Sequence, residues 1–134
     1  MTDTLRRRLE EFRLPLLALH KALVDSERVS YETTMGIIQS PNHFLQLLTK
    51  DPWFAWLQPL SQLIVAMDEA LDAKEPLTQP RVDALILEIV RLLVASENGE
   101  GFARHYFEAL QRDPDVVLAH AAVARLFGPR RSQT

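Results

Sequence analysis

The sequence contains no cysteine among its 134 residues. Disulfide bonds, thiol catalysis and thiolate metal sites are therefore excluded, and the composition is compatible with a reducing compartment. Strictly apolar runs are short: residues 63–67 fall far below the roughly 20 residues that a membrane-spanning helix requires. The arginines at residues 6–8 lead into a mixed segment, whereas a secretory signal would continue as an apolar stretch. We therefore predict a soluble, cytoplasmic protein with no membrane partner.

Glycine is scarce, with four residues against eight prolines, and alternation of apolar and polar residues does not persist over five positions. Apolar residues recur at spacings of three and four, which is typical of amphipathic helices and not of strands. We predict an all-α fold: a single-domain, kinked helical bundle of about five to six helices in antiparallel packing. The domain should span residues 1–134, with disordered ends at residues 1–3 and 129–134.

Capping residues mark most of the predicted helix starts. Ser40, Asp51 and Asp113 each precede a proline, and a polar cap followed by proline is typical of a helix N-terminus. Thr78 is a plausible cap for a further helix. These positions predict helices after residues 40, 51, 78 and 113.

Other residues predict bends and ends. Pro15 lies inside a first helix that should reach about residue 35, so we expect a kink or a break near residues 11–15. Pro59 should likewise bend the helix that follows Asp51. A left-handed residue at Asn98 or Gly99 should end the helix after Thr78, and Gly128 with Pro129 should end the last one.

Charge is unevenly distributed although the net charge is only -3. Residues 51–100 carry nine acidic and three basic residues, a local balance of -6, while the arginines cluster near both ends. An acidic middle argues against a nucleic-acid partner, because the phosphate backbone attracts basic surfaces. We interpret the arginine clusters as solvated ends of a helical domain.

The segment DPWFAWLQPLS at residues 51–61 holds both tryptophans. It resembles a segment of small, uncharacterised bacterial all-helical proteins, and the similarity extends back through residues 40–41 and forward to residues 68–69. This resemblance implies a bacterial all-α protein and no particular activity.

A weaker, local similarity to tetratricopeptide repeats lies at residues 106–122. The first helix of the repeat has no counterpart and no period near 34 residues recurs, so we interpret this region as an ordinary helical hairpin. The residues that carry the similarity are Tyr106, Ala109, Leu110, Asp113, Pro114, Ala119 and Ala122.

The aromatic cluster Trp53, Phe54 and Trp56 allows two interpretations. The side chains cannot all share one helix face, so the tryptophans can pack the core while Phe54 covers a neighbouring short helix. Alternatively, part of the cluster is exposed and binds a protein partner or a second copy of the chain. We favour the first interpretation and keep the second as a candidate partner-binding site.

A candidate ligand site lies on the first helix. His20, Glu27 and Tyr31 share one stripe, and Asp68 on the tryptophan helix could add a carboxylate. A buried carboxylate beside an imidazole and a phenol would form a polar pocket for a small-molecule ligand or a proton. The alternative, which we favour, is that the helix emerges into solvent at Glu27 and that Asp68 belongs to an acidic surface.

The sequence lacks the motifs that are typical of catalytic, metal-binding or phosphate-binding sites. The histidines lack the repeated spacing of a metal cage, and the sequence has no nucleophile elbow or phosphate-binding loop. We therefore predict no catalytic residue, no metal and no cofactor, and lean against an enzyme. The leading hypothesis is an interaction or regulatory helical module. The alternatives are a ligand- or cofactor-binding bundle with an internal polar pocket, which could be enzymatic, and a structural homodimer that uses the aromatic helix face.

Overall fold

In a computed structural model, the backbone is described for residues 2–132 and the side chains for residues 4–127. This part of the chain contains α-helices, one 3₁₀ helix and no strand, which confirms the all-α prediction. The 3₁₀ helix spans Pro52–Leu57. The α-helices are α1 (Thr2–Met35), α2 (Pro41–Lys50), α3 (Gln58–Asp72), α4 (Gln79–Leu92), α5 (Phe102–Arg112) and α6 (Pro114–Ser132).

Helix α1 is the central element, and it contacts α3, α4, α5, α6 and the 3₁₀ helix. Residues at spacings of three and four place one apolar stripe in the core, namely Leu9, Phe12, Leu16, Leu19 and Leu23. The helix is continuous through Pro15, so the predicted break is absent. The residues before Pro15 also pack onto the bundle, because Leu9 and Phe12 are fully buried.

The predicted caps are confirmed at four helix starts. In each case the side-chain oxygen of the cap accepts a hydrogen bond from a backbone N–H two or three residues ahead, which satisfies a donor that the helix itself leaves free. The pairs are Ser40 with His43 (3.1 Å), Asp51 with Trp53 (2.8 Å), Thr78 with Arg81 (3.3 Å) and Asp113 with Asp115 (2.9 Å).

The tryptophan segment differs from the prediction. Instead of one bent α-helix after Asp51, a 3₁₀ helix ends at Leu57 and α3 starts at Gln58, with Pro59 in its first turn. The N–H of Gln58 bonds to the carbonyl of Ala55, which is the tighter 3₁₀ pattern. Proline has no N–H and disfavours the helix before it, so Pro59 starts a new helix rather than bending an old one.

The ends of α4 and α6 also differ from the prediction. Helix α4 ends at Leu92, and the positive φ lies at Gly101 (φ 58), before α5, rather than at Asn98 or Gly99. Helix α6 continues past residues 128 and 129 to Ser132. The backbone of residues 2–3 and 129–132 is described as helical, and the expected disorder of both ends stays a prediction. The expected disorder of Met1, Gln133 and Thr134 falls outside the described residues.

Candidate functional site

The four residues of the candidate ligand site do not meet in one pocket. Each side chain contacts a different part of the bundle, and no described cavity is lined by more than one of them. The contacts are His20 with Ser61, Glu27 with Arg112, Tyr31 with the rings of Trp53 and Phe54, and Asp68 with Arg13.

His20 is half-buried between α1 and α3. Its Nε2 lies 2.7 Å from the hydroxyl of Ser61, and the Ser61 hydroxyl also lies 3.4 Å from the carbonyl of Leu57. Burial lowers the pKa of His20, because the charged imidazolium is poorly solvated there. The adjoining cavity of about 230 Å³ has no other titratable side chain in its lining. His20 therefore acts as a polar contact between α1 and α3 through the hydroxyl of Ser61.

Glu27 is buried, with 6% of its surface exposed, so the interpretation of this position as ordinary surface is wrong. Its carboxylate accepts a hydrogen bond from Arg112 at the end of α5, and Nε of Arg112 also donates to the hydroxyl of Ser26 (3.0 Å). Arg112 thus compensates the charge that burial would otherwise penalise. The pair joins α1 to α5.

A shallow depression of about 340 Å³ lies beside this ion pair. Its lining includes the hydroxyls of Ser30, Thr33 and Thr34, together with Arg112 and Asp113. The positive charge of Arg112 is already balanced by Glu27, and the carboxylate of Asp113 adds negative charge. The depression is therefore poorly suited to bind an anion, and we assign no ligand to it.

Two of the three candidate partner-binding rings are buried. Phe54 is 0% and Trp56 is 8% exposed, while Trp53 is half-buried. The ring of Phe54 lies 5.9 Å from that of Phe44 on α2, so Phe54 covers the short helix as the favoured interpretation expected. Phe54 and Trp56 thus pack into the core while Trp53 keeps part of its ring exposed, and the partner-binding interpretation of the three residues stays a prediction.

A second aromatic group lies where the 3₁₀ helix meets α5 and α6, and sequence reasoning missed it. Trp56 stacks on His105 with ring centroids 5.2 Å apart, and the Tyr106 hydroxyl lies 2.5 Å from Nδ1 of His120. Burial raises the pKa of Tyr106 and lowers that of His120. The neutral forms are thus favoured on both sides of this hydrogen bond, which connects α5 to α6.

A groove with a volume of about 590 Å³ lies between α3 and α4. We call it the α3–α4 groove. Apolar and charged groups of both signs meet there, and its lining residues are Pro59, Gln62, Leu63, Ala66, Glu88, Arg91 and Leu92. The side chains of Leu63, Ala66 and Leu92 are half-buried and pack against the core, whereas Gln62, Glu88 and Arg91 are exposed. The groove therefore has an apolar floor and a polar rim.

Within the described part of the chain, no helix is long and apolar enough to cross a membrane. The same residues contain no group of three or more His, Asp or Glu side chains that could hold a metal ion. Comparison with protein-family models, with curated proteins and with solved structures finds no significant match.

Proposed function

We propose that this protein is a helical interaction module that binds a partner helix in the α3–α4 groove. The observation that carries the proposal is the groove itself: half-buried apolar side chains on its floor, with exposed Gln62, Glu88 and Arg91 around them. Two neighbouring helices with an apolar floor and a polar rim form the kind of surface on which an amphipathic helix docks.

The residues that line the groove support a docking role. The floor combines the flat ring of Pro59 with the short side chain of Ala66, and Leu63 and Leu92 flank them. Small residues allow a partner backbone to approach closely, and burial of the remaining apolar surface stabilises the complex by roughly 25 cal/mol per Å². The rim charges would orient the partner rather than supply most of the affinity.

The two alternatives predicted from the sequence have less support. A ligand-binding pocket would need His20, Glu27, Tyr31 and Asp68 to converge, and each has a separate protein partner. A homodimer through the aromatic helix face would need exposed rings, but Phe54 is fully buried. The cytoplasmic location and the bacterial source expected from the sequence are kept as parts of the proposal.

Site-specific photocrosslinking in living cells tests the proposal. A photoreactive amino acid replaces Gln62 on the rim, and the matched control replaces Gln111, an exposed glutamine on α5. We expect a discrete protein adduct from position 62 and not from position 111. The variant Ala66→Glu, which places a carboxylate on the apolar floor, should abolish the adduct without unfolding the protein. No adduct at position 62, or equal adducts at both positions, would overturn the proposal.

A further inference from the structure

The rim of the α3–α4 groove carries one charge of each sign at adjacent positions. Glu88 and Arg91 are three residues apart on α4, so both side chains lie on the same side of the helix. Both are exposed, and the hydrogen bonds and ion pairs found within the chain involve neither of them. Within the described residues, this pair of charges is therefore available to a partner.

The Glu88 and Arg91 charges on one copy of α4 are complementary to the same two charges on a second copy. If a second α4 lies antiparallel across the first, with a two-fold axis between residues 88 and 91, each Glu88 faces the Arg91 of the other copy. The same two-fold rotation brings Ala84, one turn before Glu88, into the contact between the two α4 helices. Its small exposed side chain permits a close approach of the two helices. Two identical ion pairs would then form around one axis.

We propose that the partner helix in the groove is α4 of a second copy of this chain, held by reciprocal Glu88–Arg91 pairs. This inference rests on the proposed function, because it names the occupant of the same groove. The apolar floor supplies the attraction, while the rim charges fix the antiparallel direction.

The acidic balance of residues 51–100 opposes this association at long range. That repulsion is screened beyond roughly 8 Å at physiological ionic strength, whereas direct contact pairs are screened much less. The reciprocal pairs therefore decide the orientation once the surfaces meet. A foreign basic helix is the competing occupant, and the experiment below separates the two.

Charge reversal provides the test, because the two single variants are predicted to complement each other. Glu88→Arg gives a rim with two positive charges, and Arg91→Glu gives one with two negative charges. Each variant alone should dimerise at least tenfold more weakly than the wild type, since like charges then face each other across the axis. An equimolar mixture of the two should form a heterodimer, and the double variant should dimerise like the wild type.

Sedimentation velocity over a range of concentrations measures these states, and circular dichroism confirms that each variant is folded. The control Glu11→Arg reverses an exposed charge on α1, outside the groove, and should leave dimerisation unchanged. A wild-type protein that stays monomeric, or variants that do not recover on mixing, would overturn the second-copy inference. The proposed function would still stand if Gln62 crosslinks to a different protein, and would fail if it crosslinks to none.

Discussion

The 3₁₀ helix Pro52–Leu57 and the α3–α4 groove are consecutive along the chain but differ in what they leave exposed. The 3₁₀ helix holds the largest side chains of the protein, and Phe54 and Trp56 are turned into the core. The groove begins at Pro59, two residues after the 3₁₀ helix ends, and its apolar floor is only half-buried. The most conspicuous residues of the sequence are thus structural, whereas inconspicuous ones form the open surface.

Side-chain size explains the difference. An aromatic side chain removes about 150–250 Å² from water when it is buried, so folding strongly favours closing the core around it. A proline and an alanine on a helix cannot fill the space between α3 and α4, and their neighbours remain accessible. Within the described residues, the buried indole N–H groups of Trp53 and Trp56 have no protein acceptor, so apolar packing holds both rings in place.

The largest expected loss of stability comes from a substitution in the 3₁₀ helix. Phe54→Ala should lower the free energy of unfolding by about 3–5 kcal/mol, because it removes a fully buried ring that packs against Tyr31 and Phe44. Leu118→Ala, at an exposed position on α6, should change it by less than about 0.5 kcal/mol. Urea unfolding measures both. A small loss at Phe54 would mean that the 3₁₀ helix is not part of the core.

Breaking the ion pair between Glu27 and Arg112 should give the next largest loss of stability. Arg112→Met removes the partner of the buried Glu27 carboxylate and should cost about 1–3 kcal/mol, a value reduced by the partial exposure of the arginine. Arg104→Met, which breaks an exposed pair with Glu108 and a hydrogen bond to the carbonyl of Glu97, should cost less than about 1 kcal/mol. Adding Glu27→Gln to Arg112→Met should restore part of the lost stability. Equal losses for the two arginines would contradict the assigned burial of Glu27.

Acidification should weaken the core contacts through histidine. Burial lowers the pKa of His20 and His120, so the unfolded chain binds protons first as the pH falls below the ordinary value of 6.5. Stability should therefore be level above pH 6.5 and should decline as the pH falls from there towards the lowered pKa values of the folded protein. The variant His20→Gln/His120→Gln should flatten this decline in urea-unfolding series. An identical decline in the variant would assign it to other groups.

The smallest effect on stability is expected in the groove. Ala66→Glu should change the free energy of unfolding by less than about 1 kcal/mol, because the longer side chain can extend from a half-buried helical position towards solvent. The same substitution should weaken self-association at least tenfold. A large loss of stability would place Ala66 in the core and would remove the contrast between the two regions.

The sequence predicted the architecture well because local rules govern it. The caps at Ser40, Asp51 and Thr78 and the apolar stripe of α1 depend on residues a few positions apart, and the structure has them as expected. Pro59 shows the limit of such rules. The sequence predicted that Pro59 disturbs a helix, because proline has no N–H to donate. A bent helix and a new helix after a 3₁₀ helix both avoid the need for that N–H.

The candidate sites were harder to predict because they depend on distant contacts. Whether Glu27 is buried is decided by Arg112, which lies 85 residues away in sequence. Nothing in the α1 stripe indicates that partner, and periodicity alone left both interpretations open. No sequence motif indicated the α3–α4 groove, because the groove arises from the gap between two packed helices.

The most direct test of the account is a distance measurement between copies. Because the chain lacks cysteine, Gln62→Cys gives one labelling site per copy, and pulsed electron paramagnetic resonance of a nitroxide there reports the separation across the groove. We predict a defined intermolecular distance at position 62 that is shorter than the distance at the matched control Gln111→Cys. No defined intermolecular distance at position 62, or a shorter one at position 111, would contradict the assignment of the α3–α4 groove as the interface.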